Sequence, residues 1–498
     1  MVTSLLAGLA LVGTWHVFAR PRSSPGVRVA LLASLLQLLP TPALATDIFG
    51  VQDTALDQPF VNALLRRTPD GAPITVSDPD FGDIFGIQAF YDTGASGVVL
   101  SEQTADLFGV QRSPGVTFHD AGIGGSSQFH VSEPLYIGVA PSTADPEDPA
   151  QYTHQFGPLR TQIGPLNAPD ALQGTDILGI PTMQGKVVVM DPKPLNTLED
   201  RLRTYVYDPG TPFKPALADS DPGIPHTHRS VALTFTSFSR FTRLTPENAE
   251  GPSQSANPFI GPNPLAKLDP NAPVDNTPGI TLKLGDKQTT GSFLLDTGAQ
   301  ASVISRDLAA QLNVRYRPNS PDPILEIFDP AHPDAPGTEL PNQFVITLTG
   351  TGGDETAAGF FLDSMLVRTK EGNPLDDDDP ANLRYLHAPV LVADISLMDP
   401  MTQQVLTLDG LFAMNFLVAS ISLSTLDIAF SPFDWIVFDP QNSVLGLELA
   451  AIPEPASFVL VLLGLVAVTL RCGWLRMRCQ GCLESRYEQI PPNRHTGH

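Results

Sequence analysis

The tripeptide Asp-Thr-Gly occurs twice in the sequence, at residues 92–94 and 296–298. Each copy lies between two apolar, strand-like runs. Glycine permits a tight turn and the close approach of another backbone, and the threonine hydroxyl can hydrogen-bond behind the turn. If the two turns face each other, the Asp92 and Asp296 carboxyl groups meet. Carboxyl groups that close cannot both ionise easily, so they share a proton, and one acts as base while the other acts as acid.

The surroundings of the two motifs repeat as well, at a spacing of 296 − 92 = 204 residues. In each half the motif is followed by a helix-like segment, a variable region, an apolar triplet and a strand that ends in Asp-Pro. These features lie at residues 101–109, 177–179 and 185–192 in the first half, and at 305–312, 411–413 and 435–440 in the second. A duplicated unit is the simplest explanation of this order.

Composition indicates the fold class and excludes one class of partner. Among 498 residues there are 49 prolines and few aromatic residues, which with many threonines and valines predicts short strands and long loops, an all-β fold. The net charge of −24, without a basic stripe, excludes nucleic acid as a partner. All three cysteines lie beyond residue 470, so the predicted body contains no disulfide.

The amino-terminal region, residues 1–45, is typical of a signal peptide. Three arginines precede the apolar run 29–39, and Ala43-Leu44-Ala45 follows, so we expect cleavage after Ala45. At the other end, Pro453-Glu454-Pro455 precedes the apolar run 456–470, and arginines follow it. This order predicts a transmembrane helix that leaves the body outside the cytoplasm. We therefore expect an exported, membrane-anchored or surface protein.

The two motifs, the triplet Ile177-Leu178-Gly179 and the closing strand at 437–442 resemble the bilobed, pepsin-like aspartic peptidases over residues 50–449. The sequence of the second motif, Asp-Thr-Gly-Ala and then Ser-Val-Ile-Ser, resembles the retropepsin-like branch more closely than the pepsin-like branch. The resemblance implies two β-barrel-like lobes related by a pseudo-twofold axis, with a peptide or protein substrate in the cleft between them. It implies a hydrolase that uses a water and no cofactor.

The resemblance also implies roles for individual residues. Asp92 and Asp296 are the expected catalytic pair, with Thr93, Gly94, Thr297 and Gly298 in support. A hairpin flap is expected at residues 122–127. Its tip residues are Gly122, Ile123, Gly124 and Gly125.

The tail resembles the PEP-CTERM sorting signal of bacterial surface proteins, which a membrane enzyme of the exosortase type processes. The tail here departs from that pattern because some 20 further residues follow the arginines. An ordinary carboxyl-terminal anchor is the alternative. The resulting division of the chain is a signal region at 1–45, a first lobe at 46–243, a proline-rich connection at 244–277, a second lobe at 278–449, and an anchor with a basic tail at 450–498.

Several departures from the family leave a second interpretation open. The expected flap has no tyrosine, and Ala413 stands where the second triplet should have glycine. Ala95 and Ala299 supply no hydroxyl to the carboxyl groups, which predicts activity at a less acidic pH than pepsin shows. A surface peptide-binding protein with a weak or inactive aspartate pair is therefore the alternative function. A structural or matrix protein is a third class, which the repeat disfavours.

Metal binding is not expected. Cys479 and Cys482 have the spacing of a zinc pair but lack a second pair of ligands. The run Asp376–Asp379 lacks the spaced oxygen ligands of a calcium loop. The histidines form no serine-protease or zinc-protease pattern, so we expect no metal.

Overall fold

The computed structural model describes residues 46–78, 82–166, 174–198, 200–210, 229–245, 250–268 and 275–450. The predicted signal region and, except for Ala450, the predicted anchor lie outside these ranges, as do the three cysteines. Within them, no helix has both the length and the apolar character needed to cross a bilayer. The described chain is mostly strand, so the prediction of a β fold is confirmed.

Most strands are short, and many follow one another along the chain after only a few residues. Those before residue 265 are β1 (Thr46–Ile48), β2 (Thr54–Ala55), β3 (Phe60–Arg66), β4 (Val76–Asp78), β5 (Gly82–Ile84), β6 (Gly86–Tyr91), β7 (Val98–Leu100), β8 (Arg112–Gly122), β9 (Gly125–Ser132), β10 (Leu135–Ala140), β11 (His154–Leu159), β12 (Gln162–Ile163), β13 (Ile177–Leu178), β14 (Val187–Asp191), β15 (Arg203–Tyr207), β16 (Arg229–Ala232), β17 (Thr234–Thr236), β18 (Arg243–Thr245) and β19 (Asn257–Ile260).

The strands after residue 275 are β20 (Ile280–Leu284), β21 (Lys287–Gly291), β22 (Phe293–Asp296), β23 (Val303–Ile304), β24 (Val314–Tyr316), β25 (Leu325–Ile327), β26 (Thr338–Glu339), β27 (Phe344–Gly350), β28 (Gly353–Val367), β29 (Leu383–Val392), β30 (Ser396–Met398), β31 (Val405–Thr407), β32 (Gly410–Ala413), β33 (Ser420–Ile421), β34 (Ile428–Ala429), β35 (Phe433–Asp439) and β36 (Val444–Leu449).

Helices are few and short. The α-helices are α1 (Glu102–Leu107), α2 (Lys193–Asn196) and α3 (Arg306–Gln311), and the 3-10 helices lie at Pro149–Gln151, Ile180–Thr182, Ser239–Phe241, Pro264–Lys267 and Met414–Phe416. Helix α1 begins after Ser101 and α3 after Ser305, and each serine hydroxyl accepts a backbone N–H from the first turn. A serine cap satisfies one of the free N–H groups at a helix start. The two predicted helices are therefore confirmed, although both end a residue or two earlier than the pattern indicates.

Two large sheets each carry one Asp-Thr-Gly motif. The first has the order β11-β10-β3-β6-β13-β7-β12-β9-β8-β18. The second has the order β17-β19-β22-β32-β23-β29-β28-β20-β21, with β1 on β29 and β27 on β28.

The same local arrangement is built in both sheets. The strand that leads into the aspartate, β6 or β22, pairs in parallel with the strand of the apolar triplet, β13 or β32. That triplet strand pairs on its other side with the strand that follows the motif, β7 or β23. Strands with neighbours on both sides and cover on both faces are apolar throughout, which explains the continuous apolar runs in the sequence.

A five-stranded sheet joins distant parts of the chain in the order β15-β14-β35-β36-β16. In it, β14 pairs with β35, so residues 188–190 meet residues 436–438. Strand β1 likewise pairs in parallel with β29, and the Asp47 carboxylate accepts from Arg384 Nε at 2.7 Å. Both halves of the chain therefore depend on strands from the other.

The proline-rich segment 244–277 also contains regular structure. Its residues Asn257–Ile260 are all buried and form β19, which pairs with β17 and β22 of the second sheet. The prolines and polar residues around this strand conceal it in the sequence, because the strand is only four residues long and two of them are Asn257 and Pro258.

Candidate active site

The structure brings the two Asp-Thr-Gly turns together. Asp92 directly follows β6 and Asp296 ends β22, and their carboxyl groups lie close enough to interact with each other. Asp92 Oδ1 accepts the Gly94 N–H at 2.6 Å and the Gly298 N–H at 3.1 Å. Asp296 Oδ1 accepts the Ala299 N–H at 2.9 Å. Backbone N–H groups of both turns therefore hold one carboxyl pair in place.

The two threonines form a reciprocal hydrogen-bond network behind the carboxyl groups. Thr93 Oγ1 donates to the Leu295 carbonyl at 2.6 Å and accepts the Thr297 N–H at 3.1 Å. Thr297 Oγ1 donates to the Tyr91 carbonyl at 2.8 Å and accepts the Thr93 N–H at 3.0 Å. Both threonines are almost fully buried. An unpaired buried donor or acceptor is costly, so this network resists separation of the two turns.

The glycines of the motifs leave room for the opposite carboxyl group. A Cβ atom at Gly94 would lie 2.5 Å from Asp296 Cγ, and one at Gly298 would lie 2.7 Å from Asp92 Oδ1. Real carbon atoms do not approach so closely. Each glycine is therefore required because the aspartate of the other turn occupies the space where its side chain would be.

Burial raises the pKa of both carboxyl groups. For Asp296 the pKa is raised well above its usual range, first by burial and then by the negative charge of Asp92. For Asp92 burial also raises the pKa, while hydrogen bonds from Asp296, Gly94 and Gly298 act in the opposite direction. Because the two groups interact strongly, they titrate as a pair and hold one shared proton between their two ionisations.

Two buried side-chain amides, which were not predicted from the sequence, donate hydrogen bonds to the backbone of the two turns. Asn257 Nδ2 donates to the Gly94 carbonyl at 2.8 Å, and Gln58 Nε2 donates to the Gly298 carbonyl. Each amide therefore comes from the half opposite to the turn it contacts. A signal exists in the sequence, because Gln58-Pro59-Phe60 and Asn257-Pro258-Phe259 form a second repeated tripeptide.

The alanine of the second triplet is accommodated without displacement of the turn. In the first half, Ile180 N–H donates to the Ala95 carbonyl at 3.0 Å, and a Cβ at Gly179 would collide with the Ala95 and Gly97 carbonyls. In the second half, Met414 N–H donates to the Ala299 carbonyl at 3.1 Å although Ala413 carries a methyl group. The methyl group is fully buried. The backbone contact is thus preserved in both halves.

Two hairpins, rather than one, meet above the carboxyl pair. The segment predicted as a flap is the turn between β8 and β9, with Ile123 and Gly124 at its tip. The second hairpin, β27 and β28 with Thr351 and Gly352 at its tip, was not predicted. The tips touch, since Gly352 N–H donates to the Ile123 carbonyl at 3.0 Å. The sequence Gly350-Thr351-Gly352-Gly353, which matches Gly122-Ile123-Gly124-Gly125, is the signal that could have found it.

Cavities lie on both sides of the carboxyl pair beneath these tips. One, of about 220 Å³, is bounded by Asp92, Asp296, Asp120, Phe238 and Leu397 among others. The second, of about 460 Å³, includes Asp92, Phe90, Gln300, Ile346 and Leu348 in its lining. Ile123 lines both. Together the cavities form a cleft that passes the carboxyl pair, as an extended chain requires.

Comparison with known proteins supports an aspartic peptidase in general terms. A family model described as aspartyl protease matches residues 280–326, which include the second Asp-Thr-Gly motif. A search of curated proteins finds no match to the chain. A protease domain acts on peptide or protein substrates, and a carboxyl pair with one shared proton supplies both the base and the acid that hydrolysis of an amide needs.

Proposed function

We propose that the chain is a bilobed aspartic endopeptidase in which Asp92 and Asp296 activate a water for attack on a peptide bond. The observation that carries this proposal is the meeting of the two turns, with one carboxyl pair held by N–H groups from both motifs. The cleft on either side and the paired hairpins above support an extended substrate.

The proposed mechanism uses the shared proton. The ionised carboxylate accepts a proton from the water as its oxygen bonds to the carbonyl carbon, and the protonated carboxyl donates its proton to the carbonyl oxygen. The tetrahedral intermediate then collapses. The carboxyl group that took a proton from the water gives it to the amide nitrogen as the carbon–nitrogen bond breaks, and the other carboxylate takes a proton back from a hydroxyl group of the intermediate. A free acid and a free amine then leave, and the pair again holds one proton. No covalent bond to the protein forms, and the N–H groups that hold Asp92 and Asp296 keep the pair positioned throughout.

Single substitutions of the pair test the proposal. The full chain, Asp92→Asn and Asp296→Asn are incubated with a denatured protein mixture from pH 3 to pH 7, and new amino termini are counted by mass spectrometry. We expect each asparagine variant to lose at least about a hundredfold of the rate, because general acid–base catalysis needs both roles. Asp434→Asn, a half-buried surface carboxyl on β35, is the control and should cleave like the wild type.

The alternative function is a peptide-binding protein on the same fold. Two sequence features favoured it: Ala413, and the absence of a tyrosine from the expected flap. In the structure the Ala413 methyl group is buried behind its turn, and Ile123 stands at the hairpin tip. Folded wild type that cleaves nothing over this pH range, yet binds peptides, would replace the enzyme by this alternative. Cleavage that survives in either asparagine variant would overturn the shared-proton mechanism.

We further propose that the protein is exported and tethered by residues 450–498, with an exosortase-type enzyme as the processing partner. This proposal is supported by the charge and apolar pattern of the two ends of the sequence. Fractionation of cells that express the full chain or a chain ending at Ala450 tests it. Equal membrane retention of the two would contradict tethering by the tail.

A further inference from the structure

A third carboxyl group, Asp120, faces the cleft beside the catalytic pair. It lies on β8, three residues before the hairpin tip Ile123, and lines the smaller cavity together with Asp92 and Asp296. Its Oδ1 accepts the Ala121 N–H at 2.9 Å, and its Oδ2 accepts Gln162 Nε2 at 2.8 Å. Among the described residues Asp120 has no ion-pair partner, and burial raises its pKa.

The partner of Asp120 has an acceptor left over. Gln162 on β12 is only 1% exposed, and its Oε1 atom has no hydrogen-bond partner in the described structure. Donation of Nε2 to a carboxylate leaves Oε1 as an acceptor, and a carboxylate has more lone pairs than the two that are used here. The carboxylate and the Oε1 atom therefore leave acceptors unsatisfied at the wall of the cavity, and the only donor group of the pair, Nε2, keeps a single further N–H. A buried polar atom without a partner is unusual in proteins and points to a missing group.

The internal repeat shows that the fold does not need this polar pair. Asp120 lies two residue pairs from the last pair of its hairpin, and Leu348 lies at the same register in the second hairpin. Gln162 pairs with Val99 on β7, and Leu391 pairs in the same parallel sense with Val303 on β23. The second half therefore builds both positions from leucines, which pack into one apolar cluster. Asp120 and Gln162 therefore stand at positions that the second half of the chain fills with apolar side chains.

We propose that Asp120 and Gln162 form a specificity subsite that binds a lysine or arginine side chain of the substrate, on one side of the scissile bond. This inference rests on the proposed peptidase function. A cation with several N–H donors is the group that satisfies a carboxylate and an amide oxygen together. Phe238, Leu397 and Ile395 line the same cavity and can cover the apolar stem of a long side chain.

The other side of the cleft lacks such a group. Apart from Asp92, none of the described residues that line the larger cavity is charged, and Ile346, Leu348 and Phe90 form much of its wall. We therefore expect the cation preference at one substrate position only, with apolar or small polar residues on the opposite side. An asymmetric specificity of this kind follows from the divergence of the two halves.

The preference depends on pH through Asp120. Below the raised pKa of Asp120 the group is protonated and neutral, so a cation gains little from it. As pH rises through that pKa the carboxylate forms, and the preference for lysine or arginine over an apolar residue of equal length increases. His119 and His130 lie on the two strands of the same hairpin, and Asp92 and Asp296 line the same cavity. The part of the cavity wall that the structure describes contains no lysine or arginine.

Binding and cleavage are measured separately, so that failure of this inference is distinct from failure of the proposed function. The full chain is given a peptide series in which one lysine, or norleucine as its uncharged match, is moved through the positions on both sides of the cleaved bond. A second series carries a non-hydrolysable hydroxyethylene link, so its affinity requires no turnover. The variants are Asp120→Asn, which keeps the size of the side chain, and Asp120→Leu with Gln162→Leu, which copies the second half.

We expect lysine at one position to improve both affinity and kcat/KM by about tenfold or more over norleucine in the wild type at pH 6 to 7, as for a buried charge pair. Both variants should lose this preference while they still cleave the norleucine peptides. A wild type without preference at any position, or a preference that persists in Asp120→Asn, would overturn the subsite. Preferential binding without cleavage would support the subsite and count against the peptidase.

Discussion

At the residue scale, each turn of the candidate site is completed by atoms from the other half of the chain. Thr93 and Thr297 exchange hydrogen bonds with the opposite backbone, and the glycine of each motif makes room for the opposite carboxyl. From these contacts we expect the motif to tolerate little change. Within the first half, Gly179 leaves room for the Ala95 and Gly97 carbonyls, whereas Ala413 shows that the second half has space for one methyl group behind its turn.

Ala299 provides a test of how the pair is tuned. Its backbone N–H donates a hydrogen bond to Asp296 Oδ1, but its methyl side chain has no hydrogen-bond donor. A hydroxyl donor stabilises the ionised carboxylate, so Ala299→Ser should lower the pKa of the pair. The decline of kcat/KM on the alkaline side should then begin about one pH unit lower, the size expected for one hydrogen bond to a charged group. The pH profile of peptide cleavage measures this.

Two further substitutions serve as a parallel test and a control for the pH profile of Ala299→Ser. Ala95→Ser should move the alkaline decline in the same direction, because Ala95 follows the first motif as Ala299 follows the second. Gln300→Ser adds a hydroxyl at an exposed neighbour and should leave the profile unchanged. A decline in Ala299→Ser that stays in place or moves to higher pH would contradict our account of the raised pKa values.

At the element scale, the two hairpins act as one cover. Strands β8 and β9 come from the first sheet, β27 and β28 belong to the second, and their tips share the Gly352–Ile123 hydrogen bond. We expect this contact between two hairpin tips to open when a substrate enters. Its glycines allow the close approach, since a Cβ at Gly352 would lie 2.5 Å from the Gly125 carbonyl carbon.

We expect Gly352→Ala to impair the cover without unfolding the protein. Gly352 does not have a positive φ angle, so alanine is compatible with its backbone and acts only through the collision with the opposite tip. The collision should lower kcat/KM by about tenfold or more through weaker closure over the substrate. Steady-state kinetics and thermal unfolding, run together, measure the two effects.

Thr356→Ala on β28 is the matched control for this hairpin. It removes one exposed hydrogen bond, between the Thr356 and Thr347 hydroxyl groups at 3.2 Å, and leaves the tip intact. Its kinetics should match the wild type. If Gly352→Ala were equally active, contact between the tips would have no part in catalysis.

At the scale of the whole molecule, the two halves are interleaved rather than merely joined. The amino-terminal strand β1 lies in the sheet of the second motif, and β14 pairs with β35, some 245 residues further along the chain. Buried side chains of β14 and β35, among them Val189 and Trp435, pack into one apolar cluster. Neither half can bury these surfaces alone.

The expected consequence is that residues 46–243 and 244–450 do not fold separately. Each piece would expose unpaired strand edges and apolar faces, which favours aggregation. Each piece alone should lack a cooperative unfolding transition in urea, while residues 46–450 as one chain should show one. Circular dichroism and gel filtration of the two pieces, apart and after refolding together, measure this. A single piece that unfolds cooperatively as a monomer would show that the halves are independent.

The features that could be predicted from the sequence are local or repeated: the β class, the two serine-capped helices, the paired motifs and the first hairpin. Patterns of apolar residues and turn residues suffice there, because each feature depends on neighbours within about a dozen positions. The tertiary structure decided the second hairpin's role, the crossed amides Gln58 and Asn257, and the pairing of Asp120 with Gln162. These contacts join residues from about 40 to 240 positions apart, and sheet register, which follows from burial across the whole fold, sets them.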